Sequence, residues 1–326
     1  METIVNWLLE GPPYIEYQAR LHLLGQTERS TSVKRAREAM LQLPEVKRLI
    51  VELRRWPVAS LNSHKSAGHP IHKLTFLADL GVRKTDPGIG ELSEKVMGHA
   101  SPEGPFEVLM NISPSYGGTG ADQWSWALCD APLLVYALEC FGFAGDSRVR
   151  SALDHLLSLV RDNGWPCAGA ATLGKFRGPG RKDDPCPFAN LEMLKALSRS
   201  ARADSREARL GTESILARWA GRRGEHPYMF FMGTDFSKPK APLVWYDILH
   251  VLFVLTEFPW TLRDPRLLDM AQLLESCADA DGRLTPKSAW KAWEGWEFAQ
   301  KKEPSRWVTL LAARVAHRLS EADGAP

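Results

Sequence analysis

The chain has 326 residues, of which 44% are hydrophobic and 25% charged, and a formal net charge of +2. Those values supply a core and leave no charge excess to attract nucleic acid or a membrane surface. Five cysteines lack the dense spacing of a disulfide framework, no signal-peptide-like start is present, and no run reaches about 18 apolar residues, so a soluble cytoplasmic protein is expected, its oligomeric state left open.

In chain order, six apolar segments end in Leu24, Leu80, Leu138, Leu197, Leu255 and Val315, at steps of 56, 58, 59, 58 and 60 residues. Three residues before each end stands another small or apolar side chain: Leu21, Leu77, Val135, Leu194, Leu252 and Ala312. Such pairs mark one buried helix face. Pro13, Pro70, Pro185, Pro242 and Pro304 stand near the starts, where the missing N–H costs nothing. Gly25, Gly81 and Gly142 follow three of the segments as candidate left-handed C-caps.

Between these inner segments lie more amphipathic patterns, Ser32–Arg55, Asp146–Asp162, Arg206–Gly221 and Asp264–Asp279, with Asp146 or Ser147 as an N-cap. Strand signals are weak. A period of this length means stacked helical hairpins. The expected fold is therefore all-α, a single (α/α)6 toroid spanning 1–326, with inner and outer rings of helices around one cavity. The irregular stretches Pro57–Gly68, Ala100–Asp122, Cys167–Asp184 and Gly221–Pro242 each run into an inner helix, and read as structured loops over the cavity mouth.

Aligning the six inner segments places Glu16, His72, Asp130, Ala189, Asp247 and Trp307 at equivalent positions near the mouth. His69, Lys73, Cys129, Asp184, Cys186, Asn190, Tyr246, His250 and Arg306 gather at the same level. Asp130, Asp247, His72, His250 and Tyr246 are the candidate acid–base groups. Trp124, Trp245, Trp307 and Asn190 are candidates to contact a substrate, the tryptophans through their aromatic faces.

One local constellation is sharper. The stretch Lys175-Phe176-Arg177-Gly178-Pro179-Gly180-Arg181-Lys182 sets four basic groups on a glycine-rich loop that leads into a helix N-terminus, an expected anion site. Asp184 and Cys186 follow two residues apart, and with His250 or Asp247 they make a candidate zinc set of carboxylate, thiolate and imidazole.

The endings Asn163-Gly164-Trp165 and Asp281-Gly282-Arg283-Leu284 of two outer segments look like the glutamine–tryptophan repeat of the terpenoid cyclase and protein prenyltransferase superfamily, the squalene-hopene-cyclase-like α/α toroids. Trp126–Pro132 and Trp245–Val251 are similar to stretches of a narrower bacterial branch. The resemblance implies zinc on Asp184 and Cys186, as in the Asp-x-Cys of prenyltransferase β-subunits, and a diphosphate held by Arg177 and Arg181. This chain departs from that pattern. Asp247 rather than a histidine occupies the third-ligand position, with His250 one turn deeper, and Ala127 stands where the diphosphate-binding histidine is found. Where class II cyclases carry Asp-x-Asp-Asp, this chain reads Asp183-Asp184-Pro185-Cys186.

Three functions are thus expected in competition. The first is a zinc-dependent cavity enzyme acting on a small amphipathic or isoprenoid-like substrate with an anionic group. The second is a metal-free cyclase or isomerase using Asp130, His72 or Asp247. The third is a non-catalytic ligand-binding or scaffold toroid.

Overall fold

The computed structural model describes residues 2–57, 59–178, 180–224 and 226–324. Pro179 of the basic loop and the terminal Met1, Ala325 and Pro326 of the expected domain lie outside the described residues. The all-α class is observed. In chain order the helices are α1 (Glu2–Leu9), α2 (Pro13–His22), α3 (Thr31–Gln42), α4 (Pro44–Leu53), α5 (Pro70–Leu80), α6 (Ile89–Met97), α7 (Ala131–Leu138), α8 (Ser147–Ser158), α9 (Pro187–Leu197), α10 (Arg206–Ala220), α11 (Ile248–Leu255), α12 (Pro265–Glu275) and α13 (Arg306–Gly324). Among the described residues the one sheet is an antiparallel ribbon of β1 (Val108–Met110) and β2 (Gln123–Ser125), with Leu109 opposite Trp124.

The chain divides into two compact units, a central one of Ile50–Phe231 and a terminal one of Met1–Leu49 with Met232–Pro326. Each is built from inner helices packed in succession, with outer helices against them. In the central unit α5 packs on α7 and α7 on α9, while α8 and α10 lie outside α7 and α9. In the terminal unit α11 packs on α13 and α13 on α2, with α12 and α3 outside α11 and α2. Helices α9 and α11 are largely apolar because they are covered all round, every residue of each being buried.

Four of the six expected anchors, Leu80, Leu138, Leu197 and Leu255, are the last residues of inner helices and fully buried, and Val315 is buried within α13. Burial of each contributes roughly 1.5–3 kcal/mol. Leu24 departs from the expectation: α2 ends at His22 and leaves it 43% exposed. Gly25, Gly81 and Gly142 all adopt positive φ (58°, 86° and 98°), as left-handed caps require.

Helix starts shift for a local reason. Proline keeps the residue before it out of the helical region. Pro187 therefore holds Cys186 extended (φ −83°, ψ 115°), and α9 begins at Pro187 rather than Pro185. Pro44 likewise holds Leu43 extended (ψ 133°) and splits the expected Ser32–Arg55 helix into α3 and α4. The helices expected near Pro242 and Pro304 begin instead at Ile248 and Arg306.

The three inner helices of the central unit share a buried polar contact. Tyr136 on α7 donates its hydroxyl to Asp79 Oδ1 on α5 (2.7 Å). Lys195 Nζ on α9 stands 3.5 Å from Asp79 Oδ2 and 4.8 Å from the Tyr136 ring centroid. The ion pair is nearly dry, with side-chain exposures of 2% and 8%. Removing one member strands the other charge, whereas apolar replacement of the whole set is tolerated. Asp79→Leu is expected to lower unfolding free energy by about 3–5 kcal/mol. The triple change Asp79→Leu, Tyr136→Phe, Lys195→Met should recover most of the loss in urea denaturation.

Candidate functional site

The site of the central unit is built on one extended segment, Trp165–Ala170, strung between the entries of α7 and α9. At its start Cys186 donates its N–H to the Trp165 carbonyl (2.8 Å), and Pro166 pairs with Pro185. At its end Leu128 donates to Ala168 and Ala170 to Trp126, each at 2.9 Å. Two groups lock the segment. The Asn190 carboxamide on α9 accepts from the Trp165 N–H (3.0 Å) and donates to the carbonyls of Trp165 (2.9 Å) and Cys186 (2.8 Å). The Trp165 ring is fully buried, its indole N–H on the Leu156 carbonyl (2.9 Å). Gly164 lets the amide come this close, since a Cβ there would lie 2.5 Å from Asn190 Oδ1, and its φ is +107°.

The segment places Cys167 between the α7 entry, Cys129–Asp130, and the α9 entry, Cys186. Its sulfur accepts the Gly178 N–H (3.2 Å), and interaction with the Cys186 thiol weighs on its acidity. That interaction leads in bringing the Cys167 thiol down to about 7, with the Gly178 N–H and Arg177 helping against burial. Cys186 is pushed well up, first by the same interaction and then by burial.

Gly178 belongs to the basic loop, which walls an open polar cleft of about 830 Å³. Its backbone is docked on the 114–117 turn, with Lys175 donating to the Gly117 carbonyl (3.0 Å) and Arg177 to that of Tyr116 (3.2 Å). Lys175, Arg177, Arg181 and Arg218 line the cleft together with His226, and Asp184 is the carboxylate among the lining residues. Arg181 stands 3.6 Å from Asp184; neither Lys175 nor Arg177 has an ion-pair partner among the described residues. Tyr228 forms the floor, its hydroxyl donating to the Arg181 carbonyl (3.1 Å). A Cβ on Gly180 would meet that ring at 2.6 Å, so glycine is required for the loop to lie on it. Tyr228 and Met229 both hold left-handed backbone (φ 53° and 61°), which non-glycine residues adopt at a cost of about 1–3 kcal/mol.

The central unit also holds buried carboxyl groups. Asp130, at the entry of α7, accepts the Cys129 thiol at Oδ2 (3.0 Å), while Oδ1 has no partner among the described residues. Burial raises Asp130 to about 7, against the bond from Cys129. Glu192, one turn into α9, is buried with neither oxygen hydrogen-bonded among the described residues, and burial lifts it to about 8, Lys195 opposing and Asp130 adding to the rise. The charge of Asp130 works against ionisation of both Cys167 and Glu192.

The remaining expected residues are placed as follows. His72 is buried, its Nε2 bonded to the His64 carbonyl (2.8 Å), and burial lowers it to about 3, so it is a neutral group tied to backbone. Lys182 is not among the cleft's lining residues; its carbonyl accepts from Arg161 (2.9 Å). Asn190 is the backbone clamp just described rather than a cleft wall. Trp124 stacks on His99 (3.5 Å between centroids). In the terminal unit Trp245 stacks on Trp290 (3.6 Å), and Trp307 is core, edge-on to Tyr14 (5.6 Å). Asp247 caps α11, accepting from Leu249 and His250 N–H groups at 3.0 and 3.2 Å, with Oδ2 unpartnered among the described residues and its carboxyl raised to about 7 by burial. His250 Nδ1 bonds the Trp245 carbonyl (2.9 Å), and Tyr246 lies against Phe236 (5.7 Å).

The expected zinc set is not assembled. Asp184 closes a turn on the Arg181 carbonyl (3.2 Å) and faces the open cleft, whereas Cys186 is extended and buried. Asp247 and His250 belong to the terminal unit. Among the described residues no three His, Cys, Asp or Glu side chains are grouped to hold a metal ion. Sequence reasoning missed Glu192, Cys167, Arg218, His226 and Tyr228. A signal existed for Glu192, which with Lys195 is charged in an otherwise uncharged helix, Pro187–Leu197.

No family model matches the sequence, and no curated relative matches it. Solved structures similar in chain course include an unsaturated glucuronyl hydrolase from Bacillus sp. GL1, 14% identical over 96% of this chain and 85% of that one, at a TM-score of 0.48. A protein from Actinoplanes is 14% identical over 99% and 98% of the two chains (TM-score 0.43). The type II terpene cyclase MstE from Scytonema is 10% identical over 96% and 87% (TM-score 0.41). A terpene cyclase, the resemblance read from the sequence, is thus among the structures this chain is similar to.

Asp130 and Glu192 keep their protons to higher pH in the folded chain than in the unfolded one. The folded state therefore binds more protons between about pH 4 and pH 8, and stability falls as pH rises across that window. Glu192→Gln should match the parent near pH 4 and exceed it at pH 8.5, on the order of a few kcal/mol, in paired thermal melts. Parallel pH profiles for the two proteins would contradict the assignment.

Proposed function

We propose that the chain is an enzyme that holds the anionic group of a small amphipathic substrate in the cleft of the central unit and moves a proton with the buried Asp130 at the entry of α7. The observation that carries this reading is the cleft's charge: among the described residues four Lys or Arg side chains, His226 and the carboxylate Asp184 line it, and neither Lys175 nor Arg177 has an ion-pair partner. Unpaired cations in a walled cleft favour phosphate or carboxylate, and arginine adds bidentate geometry. Asp130 is suited to acid catalysis near neutrality because burial holds it at about 7 with one oxygen uncommitted. Glu192 supports it. A protonated neighbour on the same buried face keeps Asp130 from facing a second negative charge.

The terpenoid cyclase resemblance in the sequence makes an isoprenoid-like tail the first to test, since protonating an alkene creates a cation that buried aromatic faces stabilise. His64, Phe188 and Phe230 form one such face at the start of α9, with centroid separations of 4.6 and 6.3 Å.

Calorimetric titration of the full chain with inorganic pyrophosphate tests the cleft. Arg177→Ala is expected to weaken binding about tenfold or more, the worth of a charge-assisted contact of roughly 1–3 kcal/mol, while Lys182→Ala leaves it unchanged. Equal affinities of Arg177→Ala and parent would remove the cleft from the proposal. Incubation with farnesyl diphosphate in heavy water tests the acid: the parent should place deuterium in product, and Asp130→Asn should abolish this while still binding pyrophosphate.

A further inference from the structure

We propose that Cys167 and Cys186 form a redox pair, in which a hydroperoxide attacks Cys167 and Cys186 resolves the product to a disulfide. Cys167 and Cys186 each stand one residue from the paired Pro166 and Pro185, on two segments that run side by side. Their backbones are held together from both sides, by the Cys186 N–H on Trp165 O (2.8 Å) and by the pairing of Pro166 with Pro185. This arrangement does not depend on an anion occupying the cleft.

The order of reaction follows from access and from the groups around each sulfur. Cys167 is half-buried beside Gly178, which lines the open cleft, whereas Cys186 is only 6% exposed. The Gly178 N–H (3.2 Å), the Cys186 thiol and the Arg177 guanidinium all favour a thiolate on Cys167, with Asp130 opposing. Cys129, on the other flank, is held as a thiol by its bond to Asp130 Oδ2 (3.0 Å). Tyr228 faces the pair from the cleft floor. Cys277 lies in the terminal unit, donating weakly to the carbonyls of Leu273 (3.4 Å) and Ser237 (3.5 Å).

The chemistry balances with the peroxide as oxidant. The Cys167 thiolate attacks one peroxide oxygen, the O–O bond breaks, and hydroxide leaves as water after taking up a proton, giving a sulfenic acid. The Cys186 thiol then attacks the Cys167 sulfur, the S–O bond breaks, and a second water departs with the thiol proton. Two thiols and one hydrogen peroxide become one disulfide and two waters. The new bond would tie the α9 entry to the segment on which the basic loop rests.

The test uses the full chain, treated with hydrogen peroxide, alkylated and mapped by mass spectrometry without reduction. A cross-linked Cys167–Cys186 peptide is expected, with loss of two titratable thiols per chain and recovery by dithiothreitol. Cys186→Ala should accumulate a dimedone-trappable sulfenic acid at Cys167, and Cys167→Ala should slow oxidation of Cys186 about tenfold or more. The mapping of the unsubstituted protein needs no variant to fold. Oxidation of Cys277 as fast as Cys167, or a dominant Cys129–Cys167 bridge, would overturn the proposal.

Discussion

The central unit depends on what one carboxamide does. Asn190 spends both of its polar atoms on backbone, two bonds to Trp165 and one to the Cys186 carbonyl, and so fixes an extended segment against the mouth of a helix. Without that clamp the Trp165 N–H would be buried unsatisfied, at about 1–3 kcal/mol, while the two carbonyls would keep their backbone partners, the N–H groups of Cys186 and Asn190. Everything functional is hung from the segment. Its far end pairs with Trp126 and Leu128 and sets the α7 entry, its middle presents Cys167, and Cys167 receives the Gly178 N–H that seats the basic loop. A buried polar contact thereby positions an exposed charged one.

Charge is sorted by depth. The cations lie where water and ligands can reach them, on a loop that rests on the Tyr228 floor. Carboxyl groups that water cannot reach give up their charge instead, because desolvation costs more than the available partners return. Asp130 and Asp247 show the same solution in separate units. Each sits at an inner-helix entry, each is buried with one oxygen unpartnered among the described residues, and each is raised to about 7. The helix repeat has placed a carboxyl of similar character at two of its mouths.

Much of the architecture was legible in the sequence because burial at helical spacing is a local property. Leu80, Leu138, Leu197 and Leu255 mark real helix ends to the residue. The misplaced starts at Pro185 and Pro304 came from taking proline as the first helical residue, where a second proline or a later residue opened the helix. Three of the four basic loop residues line the cleft, since they are close in sequence and need no long-range contact to meet. Arg218, His226 and Tyr228 come from α10 and the turn beyond it, and no pattern in the chain announces that they join the loop. Asn190 and Trp307 misled for the opposite reason: a polar or aromatic side chain at a helix mouth looks the same in sequence whether it meets a ligand or its own protein. Zinc was expected from an Asp-x-Cys spacing; in the structure Asp184 closes a turn and lines the cleft, while Cys186 is extended and buried.

Helix α9 shows why one inner helix carries both structural and chemical roles. Glu192 and Lys195 are three residues apart and on a surface helix would pair with each other. Here Lys195 is engaged instead by Asp79 of α5 and the Tyr136 ring, a partner set that belongs to two other helices. Glu192 is left with only a distant share of that cation, too little to offset burial, and keeps its proton to about 8. Near neutrality the buried region then holds one ion pair and one neutral acid, so no net charge is added by having four polar side chains inside. The same division leaves Glu192 raised further by the charge of Asp130, with no salt bridge to either among the described residues. A buried carboxyl partnered, among the described residues, by a thiol, next to a second carboxyl whose cation is engaged elsewhere, is an arrangement that costs stability as pH rises, and the fold bears that cost at the entries of α7 and α9.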